Sequence, residues 1–329
     1  MDLLKCCFGC VTVIGCKSLV VRKAAFFPPS PAGYVLLDSP SGTLIQLIDS
    51  TGQAYDPTPM PWLATRLLTL STARGSSIPC AYFQHAHAKA VILFCHGNST
   101  DVGYMWNHMA DLATQTCCSV FIFEYTGYGP RGGKASEAGL YADIRAAYRY
   151  LREEAKVPWS DIIVYGQSIG SALACDLASE LPCLGVILHS PIASGLRIFA
   201  KKETKTPSYD IFRNVEKMPY IRCPIFIFHG LADQEVPIRH SEWLIRLVAR
   251  HYPPWWVPDG GHNDIELRFR DDYFKHLREF LQTLQLHKRQ FDSPAALYED
   301  LRPVSKTIPV GELPSAKVTL PLVYLENSS

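Results

Sequence analysis

The chain has 329 residues, of which 47% are hydrophobic and 19% charged, with a formal net charge of +1. That is enough apolar material for one large core in one or two domains, and the near-neutral balance offers neither a basic face for nucleic acid nor an acidic tail. No apolar stretch reaches the ~20 residues a membrane-spanning helix needs, and no tandem repeat or long low-complexity tract is present.

The first segment, MDLLKCCFGCVTVIGCKSLVVRK, holds four of the eleven cysteines: Cys6, Cys7, Cys10 and Cys16. The other seven lie in apolar runs, where a reduced thiol packs as a small hydrophobe. An odd count without framework spacing fits a reducing, cytosolic compartment better than a disulfide scaffold. As a secretory signal, this segment has a poor n-region at Asp2 and no clear cleavage site before Lys17. As a zinc site, adjacent Cys6 and Cys7 do not match structural-site spacing. Myristoylation is excluded because Asp2, not glycine, follows the initiator methionine. S-acylation of the cysteines is favoured, with Lys5, Lys17, Arg22 and Lys23 available to anionic headgroups.

A proline-punctuated, loop-rich stretch is expected from Phe26 to about Pro61. After it, residues 64–72 and 78–84 read as paired strands and 90–95 (AVILFC) as a strand buried on both faces. A helix is expected near Gly103 to Gln115, a strand at 119–125 and an amphipathic helix at Glu137 to Lys156. A strand at 162–166 leads into the helical SIGSALACDLASEL, followed by strands at 184–190 and 224–230. A helix at Ile238 to Arg250, a last strand at 255–260 and a closing helix at Asp271 to His287 complete the series. Strand–helix alternation of this kind predicts an α/β fold, a mostly parallel central sheet with helices on both faces. Residues 191–222 are expected to form a small lid or insertion, with Phe199, Tyr209, Ile211 and Phe212 available to line an acyl channel or simply to pack. The KKETK run (201–205) inside it reads as a solvated face.

The strand at 162–166 ends in Gly166-Gln167-Ser168-Ile169-Gly170. Glycines on either side of a serine, between an apolar strand and an Ala/Leu-rich helix, are what a nucleophile elbow requires. A serine needs a base oriented by a third group, and on this fold the order is serine, acid, histidine. HGLAD supplies Asp233 and DGGHND supplies His262, both after strand ends; Asp259 and Asp264 compete with Asp233 as the orienting acid. The backbone N–H groups of Ile169 and Asn98 are the expected oxyanion donors, with Gly97 allowing the tight turn. His96 is expected to bridge loops. His85 and His87 in QHAHAK have no third ligand nearby, so no metal and no cofactor is expected.

These segments together resemble the alpha/beta-hydrolase-domain-containing type-17 family of membrane-associated serine hydrolases. The matching stretches are the Cys-rich start, RKAAFFPP, FCHGNSTDVGYM, EYTGYG, LYADIRAAY, YGQSIGS, LHSPIASGLR, HGLADQEV and GGHNDIEL, across roughly residues 20 to 282. The resemblance implies an α/β-hydrolase fold and removal of palmitate from cysteines of S-palmitoylated membrane proteins. It implies Ser168 as nucleophile, Asp233 as acid, His262 as base, and Cys6, Cys7, Cys10 and Cys16 as the palmitoylated anchor. It also implies a monomer held peripherally, by the membrane lipid surface, on the cytoplasmic face of plasma or endosomal membranes. An esterase or monoacylglycerol lipase would use the same triad, and a non-catalytic tethered scaffold would have no reason to keep it. The tail, Lys288 to Ser329, runs past the family's expected end and is read as loosely ordered or surface-docked.

Overall fold

The computed structural model describes residues 25–39, 42–198, 206–207, 209–291, 293–304 and 318–319. Cys6, Cys7, Cys10, Cys16, Phe199 and the KKETK run lie outside them.

The first strands among the described residues form a three-stranded antiparallel sheet: β1 (Tyr34–Ser39), β2 (Gly42–Ile48) and β3 (Ala54–Tyr55). The stretch 26–61 is therefore more than the loop expected of it. Pro28, Pro29, Pro31, Pro57, Pro59 and Pro61 fall outside these strands, where a missing N–H costs no ladder bond. Tyr34 and Leu47 carry the sheet's buried side.

The second sheet has ten strands. β4 (Leu63–Ser71), β5 (Ser77–His85), β6 (Val91–Cys95), the helix α1 (Val102–Thr116) and β7 (Ser119–Phe123) come first. The helix α2 (Glu137–Arg149) follows and continues as a single π-turn at Tyr150–Glu154 before β8 (Ile162–Gln167). Next are α3 (Gly170–Ala178), β9 (Gly185–His189), β10 (Ile225–Gly230), α4 (Arg239–Ile245), β11 (Arg250–His251) and β12 (Trp255–Val257). The chain closes with α5 (Ile265–Arg268), α6 (Arg270–Arg289), α7 (Pro294–Leu301) and β13 (Val318–Thr319). The order across the sheet is β13-β11-β10-β9-β8-β6-β7-β5-β4, with β12 pairing β10. Among the described strands of this second sheet, only the pairings of β5, to β4 and β7, are antiparallel.

Three expected elements are shorter than their patterns. The helix expected to reach Arg250 stops at Ile245, because Arg250 and His251 pair with the sheet instead. The last strand stops at Val257, because Pro258 cannot donate and the Gly260 N–H turns back to the Val257 carbonyl (3.2 Å). The helix expected to run from Glu137 to Lys156 leaves α geometry at Arg149.

The start of the tail is docked. Ser293 caps α7 by accepting from the Ala296 N–H, Leu297 and Leu301 are buried, and Asp300 pairs with Arg250. β13 adds to the sheet edge at β11.

β6, β7, β8 and β9 are buried along their whole length, which is why they read as unbroken apolar runs. After β6 the chain turns first to β7 on one side, then crosses to β8 on the other. That reversal is the topological switch point, where the two flanking loops diverge and leave a crevice at the carboxyl ends of the strands.

Candidate active site

Ser168 stands at that crevice, directly after β8. Its φ is +53°, a left-handed conformation that costs a residue with a Cβ about 1–2 kcal/mol. The turn is held by the Ser168 N–H donating to the His189 carbonyl (2.9 Å) and by the Ser171 hydroxyl donating to the Ser168 carbonyl (2.6 Å). The flanking glycines are required by contact. A Cβ on Gly166 would lie 2.6 Å from the Gly170 carbonyl oxygen, and one on Gly170 would lie 2.2 Å from the Cys95 carbonyl oxygen. Helix α3 thus packs backbone to backbone against β6 and fixes the serine hydroxyl above the sheet.

His262, in the loop after β12, places Nε2 2.9 Å from Ser168 Oγ, and Nδ1 2.7 Å from Asp233 Oδ2. The three residues come from loops 94 and 29 positions apart. With the proton on Nδ1, the imidazole donates to the carboxylate and accepts from the serine hydroxyl. Asp233 is closely held: Oδ1 accepts from the Glu235 and Val236 N–H groups, both at 2.8 Å. Burial works against its charge, but the bonds from His229 and His262 outweigh burial and keep the carboxyl well below its usual range. The rival Asp264 is engaged elsewhere. It accepts from Gly261 N–H (2.7 Å) and Arg268 (2.6 Å), closing the loop that carries the histidine.

Two side chains at the site have roles that the sequence did not assign. His229 Nε2 lies 3.0 Å from Asp233 Oδ2 and 2.7 Å from the Val236 carbonyl, while its Nδ1 accepts from Ser241 (2.6 Å). The ring is fully buried and spans the acid's loop. Its only sequence signal was its position at a strand end, as the first residue of HGLAD. The second is the side chain of Asn98: Oδ1 accepts from the Phe27 N–H (3.0 Å) and Tyr128 hydroxyl (2.5 Å), and Nδ2 donates to the Ala25 carbonyl (3.0 Å).

The oxyanion loop is set differently from expectation at one point. Gly97 does not have a left-handed φ, and a Cβ there would meet only Thr100 Cγ2 at 4.0 Å. The turn does not require a glycine; it is held from beneath. The His96 ring stacks on Tyr125 with centroids 3.8 Å apart, its Nε2 is 3.3 Å from Glu124 Oε1, and the Tyr125 hydroxyl donates to the His96 carbonyl (2.7 Å). His96 bridges loops, as expected of it. His85 and His87 sit at the end of β5 with ring centroids 6.1 Å apart. Among the described residues no cluster of His, Cys, Asp or Glu is large enough to hold a metal ion.

A cavity of about 240 Å³ opens beside the serine and is bordered by Ser168, His262, Asn98 and Ile169. Its far walls are apolar, among them Leu196, Ile198, Ile211 and Phe212 from the insertion between β9 and β10. Tyr209, Ile211 and Phe212 therefore face it, while Phe199 lies outside the described residues. The insertion's described part is tied down by Asp210, which accepts from the Ser194 hydroxyl (2.6 Å) and the Leu196 N–H (2.8 Å). Phe212 has a φ of +54°, and its N–H donates to Glu137 Oε1 (2.8 Å).

A hydroxyl, an imidazole and a carboxylate in hydrogen-bonded series, on an elbow beside an apolar cavity, can deprotonate the hydroxyl as it attacks an acyl carbonyl. A model of the alpha/beta hydrolase family matches residues 92–304. The chain belongs to the alpha/beta hydrolase family. It is 35% identical over 277 residues to alpha/beta hydrolase domain-containing protein 17B of Xenopus tropicalis and of Homo sapiens, covering 84% of this chain and 94% of theirs. It is also 35% identical over 279 residues to the domain-containing protein aho-3 of Caenorhabditis elegans, covering 84% of this chain and 81% of that one. The type-17 resemblance thus holds across most of the chain, and the protein is a hydrolase. Among solved structures, an esterase of Pyrococcus furiosus shares the fold, with a TM-score of 0.57 at 17% identity over 76% of this chain and 98% of that one.

Proposed function

We propose that the protein is a serine hydrolase that removes palmitate from S-acylated cysteines of other proteins. The observation that carries this reading is the unbroken contact series from Ser168 Oγ through His262 to Asp233 at the wall of an apolar cavity. His262 takes the Ser168 proton as Oγ attacks the thioester carbonyl, and the Ile169 and Asn98 N–H groups receive the oxyanion. The C–S bond breaks and the cysteine leaves with the proton from His262. Water then gives a proton to His262 and attacks the acyl-serine, releasing palmitate and restoring the hydroxyl. Asp233 holds the imidazole tautomer throughout.

Acylated Cys6, Cys7, Cys10 and Cys16 would hold the protein at the cytoplasmic face of a membrane. Among the described residues no helix is long and apolar enough to cross one.

The test is turnover of a palmitoylated peptide against a monoacylglycerol by the full-length chain and by Ser168→Ala. Hydrolysis of the thioester by the wild type alone supports the reading. Hydrolysis of the glycerol ester alone would replace it with a lipase.

A further inference from the structure

The described chain starts against the site itself. The Ala25 carbonyl and the Phe27 N–H are both bonded to the side chain of Asn98, in the oxyanion loop. Between them, the buried Phe26 ring meets Phe212 edge-on, with centroids 5.7 Å apart. Ala25, Phe27, Phe212 and Ser168 border one cavity. The polypeptide thus joins the fold at the wall of the pocket, and the 24 residues before that junction carry the cysteine cluster.

Position along the chain then limits how far those thiols can go. Cys16 is nine positions before Ala25, so it stays within roughly 30 Å of that wall even at full extension. A group tethered on so short a length experiences an effective concentration of the order of millimolar. An acyl-cysteine there is presented to Ser168 more often than one on a separate protein at cellular concentration.

We propose that the chain's own S-acylated N-terminal cysteines, Cys16 foremost, are substrates of its own pocket in cis. The inference rests on the thioesterase reading above. Ser168 Oγ forms the ester with the acyl carbon, the bond to Cys16 Sγ breaks, and the thiol takes the proton held by His262. Water then hydrolyses the acyl-serine, so the products are a fatty acid and a free cysteine, with no further reactant. The protein would thereby limit its own time on a membrane, and its anchor would compete with external substrates for one cavity.

The experiment is a pulse–chase with an alkynyl palmitate on the full-length, epitope-tagged chain. Wild type should lose the label several-fold faster than Ser168→Ala, which cannot form the acyl-serine. Ser168→Ala should keep its label when an untagged active copy is expressed beside it. Wild type blocked by a fluorophosphonate should keep it too, which guards against a folding defect in the variant. A spacer of about 40 Gly/Ser residues between Val21 and Arg22 should slow loss of label from Cys16 without altering peptide turnover. Equal decay in wild type and Ser168→Ala, decay of the variant's label driven by the active copy, or no label on the variant would each overturn the proposal. Palmitoyl-peptide turnover by the same wild-type sample separates the two readings. Peptide cleaved with label retained rejects only the cis reaction; peptide uncleaved rejects the thioesterase reading with it.

Discussion

Replacing Gly170 with alanine tests whether the elbow's backbone contact positions the nucleophile. The new Cβ would stand 2.2 Å from the Cys95 carbonyl oxygen, 2.7 Å from its carbonyl carbon and 2.8 Å from the His96 carbonyl oxygen. Ordinary contact begins at 3.4 Å, so α3 must retreat by about 1 Å; the obstructing atoms are backbone at the end of β6, which is paired on both sides and cannot yield. Overpacking of this kind costs about 1–3 kcal/mol, and in a domain this size each kcal/mol lowers the melting midpoint by roughly 2–4 °C. The catalytic loss should be larger: Ser168, two residues away on the same turn, moves with α3, and a 1 Å misplacement costs on the order of 10²-fold. The assay is the rate of fluorophosphonate labelling beside a thermal melt, with Gly97→Ala as a steric control. That control should melt with the wild type, since its Cβ meets nothing nearer than 4.0 Å. A Gly170→Ala protein that labels and melts like the wild type would refute the argument.

Asp233→Asn should fold yet lower kcat by roughly 10⁴-fold, because an amide favours the wrong imidazole tautomer; steady-state kinetics retaining more than a tenth of the rate would count against the triad. Stability should fall on acidification: burial, then the charge of Arg239, depresses His240 to about 4 from its usual 6.5, so the unfolded chain binds the proton first. The stability present above pH 6.5 is lost between 6.5 and 4, by at most about 3 kcal/mol from this residue. Urea midpoints at pH 7.5 and 5 should therefore converge in His240→Gln relative to wild type. Glu137→Ala removes the acceptor for the Phe212 N–H and the Tyr141 hydroxyl, at a cost of roughly 2 kcal/mol. It should impair long-acyl esters more than acetyl esters; equal loss on both would mean that Phe212's turn does not shape the acyl wall.

The central strands were legible because residues buried on both faces must be apolar without interruption, as VILFC and SVFIF are. The serine, acid and histidine were legible because the elbow needs glycines in contact and the fold fixes the order of the other two. The N-terminal sheet was not legible: its prolines, which bound the strands, dominate a stretch whose strands have little buried surface to advertise. Nor was the role of the Asn98 side chain, whose partners Ala25 and Phe27 lie more than 70 positions away. His229 was hidden for a different reason. A histidine ending an apolar strand carries no mark that distinguishes a brace for Asp233 from a packed ring. The premature end of α4 reflects competition, since the Arg250–His251 segment finds a sheet partner that helical periodicity cannot foresee.

The most direct measurement is a rapid quench of the full-length protein with a palmitoyl thioester, followed by mass analysis of its peptides. A palmitoyl group accumulating on the peptide that contains Ser168, and absent in Ser168→Ala, is the predicted result. Palmitate found on another residue, or undiminished turnover by Ser168→Ala, would contradict it.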